Sequence, residues 1–377
     1  MCVFTKLFNQ EQDRYLLILK QRLLVTITTQ SLSIIIFYLY LFMYQAATIK
    51  QIATALSVSV STVSRALSDS HEISEETKKL IQAYAKKINY RSNPIARSLK
   101  NGRSDSIGIL VSDIANSFFS QTINGIESIA YEKGYHVIIT QSHDVYEREV
   151  TNIGHLASRS VDGILVSMSS QTVNYDHITQ LHERGMPIVF FDRVMDGIET
   201  FKVTTNNYNA AFEATKLLLD KGNKKIAFLG NAPQLSISVE RLNGYKAALK
   251  SDNIAFDDGL IRHCPDGGRD LEQIKSALHD FSKESIDGLL IASDQISIST
   301  MRILSKIKPS ENLTIIGFSN SDVIDLLTPG ISYIRQNAFE IGKVAAQMLI
   351  KIIESKYPIY DFETQLVDAE IHWRNQQ

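Results

Sequence analysis

Apolar positions recur in two rhythms along this chain, and the change of rhythm divides it. Ile49, Ile52, Ala53 and Leu56 fall at i, i+3, i+4 and i+7, the spacing of one buried helix face. Thr48 stands where such a helix needs a cap. Ser57-Val58-Ser59 interrupts the pattern, and Ser59 caps a second short helix, Val60–Leu67, whose Val63, Ala66 and Leu67 can pack inward. A third helix is predicted over Ser74–Asn89, opened by Ser74-Glu75-Glu76-Thr77, a weak form of the capping box. Ile73, Leu80, Ile81, Tyr84 and Ile88 are expected to close the small core. Asn93-Pro94 opens a fourth helix, Ile95–Asn101, with proline at its start and Gly102 beyond its end. That helix is too short to bury a core, so it is expected to form only against a partner.

Two short helices joined by a tight turn make a helix-turn-helix, in which the second helix reads bases. The outward residues of Val60–Leu67 are Val60, Ser61, Thr62, Ser64 and Arg65, small or polar with one cation. Such a face fits a major groove about 12 Å wide.

From residue 106 onward short apolar runs alternate with helical periodicity. Strands are predicted at Ser106–Ser112, His136–Thr140, Gly163–Ser167, Pro187–Phe191, Lys202–Thr204, Lys225–Gly230, Gly288–Ser293 and Leu313–Phe318. Helices fall between them, at Phe118–Lys133, Glu147–Ser158, Tyr208–Lys221, Ser238–Ser251 and Asp270–Phe281. The alternation argues βαβ units and parallel sheets. The strands are too many for one compact sheet, so two doubly wound α/β lobes are expected. Ligands of open α/β sheets sit beyond the carboxyl ends of the strands. That rule singles out Asp113, Ser167, Asp192, Ser293, Asp294 and Ser319, with Phe118 and Phe119 opening the helix after the first strand. Arg241 lies at the start of the helix after IAFLG, and Gln336 in YIRQN.

Charge sharpens the division. Residues 48–104 hold ten Lys/Arg and four Asp/Glu, a net of +6. The whole chain is −2 and residues 1–47 carry +2, so residues 105–377 hold −10. A basic module on an acidic body is the electrostatic footprint of phosphate contact. The length of 377 residues, with 44% hydrophobic and 21% charged, fits a globular chain of two or three units. Cys2 and Cys264 have no metal-ligand spacing, and their scarcity suits a reducing cytoplasm. There is no GxSxG, HExxH, P-loop or GxGxxG, and the nine histidines are scattered. The expectation is therefore a protein without catalytic residues, metal or cofactor, and not an enzyme.

The strings TIKQIA, SVSVSTVSRAL, ISEETKKLI, INYRSNPIARSLKNGRS and SIGILVSDIANSFFSQTINGIE together resemble a LacI/GalR-family transcriptional regulator over residues 48–377. The resemblance implies an all-α helix-turn-helix domain at 48–92. A hinge helix and linker follow at 93–105. Residues 106–377 would then form a two-lobed core of type I periplasmic-binding-protein fold. Its lobes would be roughly 106–205 with 337–364, and 206–336 with 365–377. DNA contact would come from Thr48, Ser59 and the outward face of Val60–Leu67. In the hinge, Asn93, Ala96, Arg97 and Lys100 would join it, with Leu99 wedged into the minor groove to bend the duplex. The after-strand residues, with Phe118 or Phe119, Arg241 and Gln336, would line an effector cleft. There Arg241 grips a ligand oxygen, and Asp192 and Asp294 accept hydroxyl hydrogens. A turn cap at Asp192 and a lobe-stabilising ion pair at Arg241 are the competing roles. Ser319 and Asn206 stand where the family commonly has Asp, which puts a simple hexose geometry in doubt. A sugar or sugar derivative is the implied effector. A homodimer, a pseudo-palindromic operator and a cytoplasmic location complete the expectation.

Residues 23–49 carry no charged side chain, and Ile34–Tyr44 is strongly apolar, long enough with its flanks for a membrane helix. Members of the family begin a few residues before TIKQIA, so Met43 is read as the start and residues 1–42 as an upstream extension. A membrane anchor and a buried or disordered extension are the alternatives; no small-residue cleavage pattern suggests a signal peptide. The competing function is a membrane-tethered or exported sugar-binding protein. The apolar stretch favours that function, and residues 48–104 oppose it.

Overall fold

The computed structural model describes residues 47–91, 102–159, 161–306, 313–326 and 330–374. The apolar stretch before residue 47 and the expected hinge helix at 93–101 lie outside them. The chain divides into two compact units, residues 1–97 and 98–377.

Among its described residues the first unit has three helices: α1 (Ile49–Leu56), α2 (Val60–Leu67) and α3 (Glu75–Lys87). Each begins at the residue the sequence marks. Thr48 and Gln51 form a reciprocal capping box, the Thr48 amide donating to Gln51 Oε1 (2.8 Å) and the Gln51 amide to Thr48 Oγ1 (3.3 Å). Ser59 Oγ accepts the Thr62 amide (2.9 Å), and Ser74 accepts that of Thr77. Ser57, in the left-handed region at φ 53°, ends α1 and turns the chain into α2. The core is small: Ile52, Ala53, Val63, Ala66, Ile81 and Ala85 are buried. Leu80, expected in this core, is instead 55% exposed. Ile81 and Ala85 define the inner face of α3, and one residue back from Ile81 is a 100° step out of it.

The second unit holds two six-stranded sheets. The first has β1 (Ser106–Val111), β2 (His136–Gln141), β3 (Gly163–Val166), β4 (Ile188–Phe191), β5 (Lys202–Thr205) and β11 (Thr364–Val367), in the order β11-β5-β4-β3-β1-β2, all parallel. The second has β6 (Ile226–Gly230), β7 (Ile261–His263), β8 (Gly288–Ile291), β9 (Thr314–Phe318), β10 (Ser332–Gln336) and β12 (Ala369–His372), in the order β12-β10-β9-β8-β6-β7. Only β12 runs antiparallel there, against β10. Helices cover both faces, which is why the central strands read as unbroken apolar runs.

The chain passes between lobes three times: after Thr205, after Gln336 and after Val367. The last passage was expected at 364/365. Parallel pairing of Thr364–Val367 with Lys202–Thr205 keeps those residues in the first lobe. The three passages are tied together. Gln336 Nε2 donates to Thr205 Oγ1 (2.7 Å), the Asn206 amide to the Val367 carbonyl (2.9 Å), and Asn206 Nδ2 to Asp368 Oδ1 (3.1 Å). In each lobe one helix pair approaches unusually closely. Helices α4 (Ser117–Glu132) and α11 (Ala338–Glu354) cross where a Cβ on Gly342 would lie 2.0 Å from the Thr122 carbonyl oxygen. Helices α7 (Asn207–Asp220) and α8 (Ser236–Ser251) cross in the same manner at Gly244.

Candidate functional site

Two surfaces carry chemistry, one in each unit. On the first unit, α2 presents Val60 (42% exposed), Ser61 and Arg65 to solvent, with Thr62 and Ser64 half-buried. The hydroxyls of Thr48 and Ser59 are engaged as helix caps. Arg65 Nη1 is paired with Glu72 Oε2 at 2.8 Å. The basic surplus of this unit is not all available at its surface. Lys78 is buried, with its ammonium held by Asp69 and Glu75 at 2.8 and 2.9 Å, so it fastens the α2–α3 turn. Asn93, Ala96, Arg97, Leu99 and Lys100 lie outside the described residues.

In the second unit the strand ends converge where the two lobes meet. Phe118 and Phe119 are both buried, edge to face at 5.3 Å. Phe119 lines an open cavity together with Asp113, Asn116, Asp144, Arg193, Arg269 and Ser293. Ser167, Asp192, Arg241, Asp294, Ser319 and Gln336 are all buried and are not among the residues that line this cavity.

Arg241 is the least conventional of these. Its Nε donates to Asn207 Oδ1 (2.7 Å), its Nη1 to the Ala292 carbonyl (2.9 Å), and its guanidinium lies 3.7 Å from the centre of the Phe318 ring. These partners are neutral, so the ion pair weighed from sequence is not the one formed. Nη2 has no partner among the described residues. Burial without a bonded carboxylate pushes this guanidinium down to about 10. Asp192, at φ 58°, has Arg193 Nε 3.9 Å away as its cation, and burial raises its carboxyl. Asp294 is likewise raised by burial, although Ser319 Oγ (2.9 Å) and the Asn320 amide (3.1 Å) donate to it. The Ser319 hydroxyl is therefore spent inside the protein, on a carboxylate one strand away. Ser167 Oγ and Arg193 Nε are buried without partners among the described residues.

Sequence reasoning passed over the group that joins the lobes at the cavity. Asp144 receives Arg193 Nη1 from its own lobe, the Ser170 amide (2.9 Å), and Arg269 Nη2 from the other lobe. Arg269 Nη1 also donates to the His143 carbonyl (2.9 Å). Burial alone would raise the Asp144 carboxyl; the Arg193 and Arg269 charges and the amide outweigh it and hold it low. A second tie joins Gln121 and Asn320: Asn320 Nδ2 donates to Gln121 Oε1 (2.8 Å), and Gln121 Nε2 to the Asn320 backbone carbonyl (3.0 Å). The after-strand rule does cover Asp144, three residues beyond β2. Arg269 follows β7, whose three residues give no periodic signal. Cys264 is buried and its thiol is pushed up to about 12, an unreactive state.

A three-helix unit with an exposed polar recognition helix, followed by two doubly wound lobes around a polar cleft, defines a ligand-binding transcriptional regulator. Residues 48–93 match the lacI family of bacterial regulatory proteins, and residues 107–357 match the periplasmic binding protein domain. The chain belongs to the lacI family. It is 30% identical over 338 residues to the HTH-type transcriptional regulator RegA of Clostridium saccharobutylicum, covering 86% of this chain and 99% of that one. The lac repressor dimer bound to operator and the anti-inducer ONPF superposes with TM-score 0.73 at 20% identity, over 88% of this chain and 99% of that one. A lacI-family regulator from Enterococcus faecium with bound ribose gives TM-score 0.63 at 26% identity, over 72% and 98%. The protein is thus a DNA-binding transcriptional regulator and not an enzyme. No helix among the described residues is long and apolar enough to cross a membrane.

Proposed function

We propose that this regulator acts as a homodimeric, cytoplasmic repressor, with α2 reading a pseudo-palindromic operator and the interlobe cleft binding a sugar or sugar derivative. The observation that carries the ligand class is the unmet polarity of the deep cleft. Among the described residues Arg241 Nη2 has no acceptor, and the desolvated Asp192 carboxylate has Arg193 Nε only at 3.9 Å. A hydroxyl accepts from one and donates to the other, so a polyol meets both needs at once. Because Ser319 turns to Asp294, the cleft offers one fewer free carboxylate than a site with Asp at that position. This favours a ligand with fewer hydroxyls to hold. The relatives' ribose and operator complexes support the same assignment, and nothing in the site favours the exported-protein alternative.

A two-fold dimer follows from the size of α2. Eight residues read only a few base pairs, and a symmetric pair doubles the contacts on a palindromic site. Thermal melting tests the effector class. A ligand bound only by the folded lobes raises the melting temperature, and D-ribose and other neutral pentoses and hexoses are expected to do so more than their phosphates. A larger shift with the phosphates would overturn the neutral-polyol reading. Binding to a duplex selected by the protein from a random pool tests the DNA side. Arg65→Ala is expected to weaken it by about 1–3 kcal/mol, the worth of a good base contact, roughly 5- to 150-fold. An unchanged affinity by fluorescence anisotropy would remove α2 from the groove.

A further inference from the structure

We propose that Glu72 is an internal stand-in for a DNA phosphate, which occupies Arg65 in the free protein and so lowers affinity for DNA of either kind, random or operator. This rests on the reading that α2 faces the groove.

The pair has an unusual origin. Arg65 and Glu72 are seven residues apart and sit on either side of the turn that ends α2, so they are not a helical i,i+4 pair. The turn holds Glu72 in place before any DNA arrives. Asp69 adopts φ 53°, the Ser70 amide donates to the Arg65 carbonyl (3.0 Å), and the Glu72 amide donates to Ser70 Oγ (3.3 Å). Buried Lys78 clamps the same turn through Asp69 and Glu75. Both Arg65 and Glu72 are about half exposed, 55% and 51%, so the guanidinium can leave its partner without structural change.

The consequence depends on what replaces Glu72. An exposed ion pair and a screened phosphate contact are of similar, small strength. On random DNA the exchange is close to neutral, and Arg65 adds little. On its operator, Arg65 can present its fork to a base edge, which is stronger than either. Breaking the pair is a cost that Arg65 meets on both kinds of DNA, so Glu72 lowers affinity for each.

The test uses the full chain with a random-sequence duplex and a duplex selected from a random pool. Glu72→Gln is expected to tighten random-duplex binding about fivefold at low salt. It is also expected to steepen the dependence of log affinity on log salt by about one. Binding to the selected duplex should tighten by at least a similar factor, because the same pair is broken there. Both changes should vanish in an Arg65→Ala background. Glu76→Gln, an exposed acid on α3, controls for bulk charge. The proposal is overturned if Glu76→Gln gives the same tightening, if the Glu72→Gln effect persists without Arg65, or if Glu72→Gln leaves random binding unchanged or weaker. Arg65→Ala alone having no effect on either duplex is a different result, and it would remove the groove reading itself.

Discussion

Arg241→Ala is expected to abolish the effector response and to cost the second unit about 3–5 kcal/mol of stability. Three losses combine. The cavity left by a large buried side chain is worth several kcal/mol by itself. Asn207 Oδ1 and the Ala292 carbonyl lose their charged donor and stay buried. The stacking on Phe318 disappears. Ligand affinity falls further because Asp192 loses the Arg241 charge and keeps only that of Arg193 to offset its burial. Arg241→Met separates the effects. It keeps the stem on Phe318 and fills most of the space, so it should recover about half the stability and none of the ligand response. Operator affinity without ligand should stay near wild type at 25 °C for both, since the residue lies in the second unit. A thermal melt and an anisotropy titration measure these outcomes. Wild-type effector response in Arg241→Met would show that the guanidinium only braces the lobe.

Gly342→Ala is expected to lower the melting temperature by about 6–12 °C, from a loss of at least about 3 kcal/mol. The added methyl would lie 2.0 Å from the Thr122 carbonyl oxygen and 2.9 Å from the Ile126 amide nitrogen, both backbone atoms with nowhere to turn. Helices α4 and α11 must move apart, and α11 carries Ile341, Ala345 and Leu349 into the core of the first lobe. The contrast is Gly154→Ala. Gly154 lies in the helix Tyr146–Ser158 with open space around its Cα, so alanine there should stabilise by about 0.5–1 kcal/mol. Equal melting temperatures for the two variants would contradict the close helix crossing.

What could be read from the sequence follows from where the signal resides. The first unit is legible because its determinants are local. Thr48, Ser59 and Ser74 each cap the helix they precede, within three residues of the amide they bind. Leu80 was misplaced because i+3 and i+4 spacings drift by tens of degrees, and one apolar residue can fall outside the buried arc. The central strands were legible because burial on both faces makes them apolar throughout. Strands β10, β11 and β12 are not: SYIRQ, TQLV and AEIH are short and half polar, and β11 and β12 exist only because β5 and β10 offer an open edge. The cleft divided in the same way. Asp192, Asp294 and Ser319 follow strong strands, so the after-strand rule points to them. The tie between Asp144 and Arg269 was not, because its partners are 125 residues apart and one follows a strand of three residues. That Ser319 bonds Asp294 is a matter of side-chain direction, which spacing does not encode.

The threefold passage between lobes also sets the order in which the protein can be completed on the ribosome. The helix-turn-helix needs nothing beyond residue 91 and can fold as soon as it emerges. The first sheet cannot: β5 ends at Thr205, yet its edge partner β11 begins at Thr364. At bacterial elongation speeds that gap lasts on the order of 10–30 s, during which β5 has an unpaired edge and α4 lacks α11. The second lobe waits as well, for β12. Both lobes and the knot of bonds at Asn206 and Asp368 close together, over Thr364–His372. A nascent chain therefore carries a finished DNA reader on an unfinished sensor. A frameshift or premature stop near residue 360 would release such a molecule with an edge strand missing from each lobe at once.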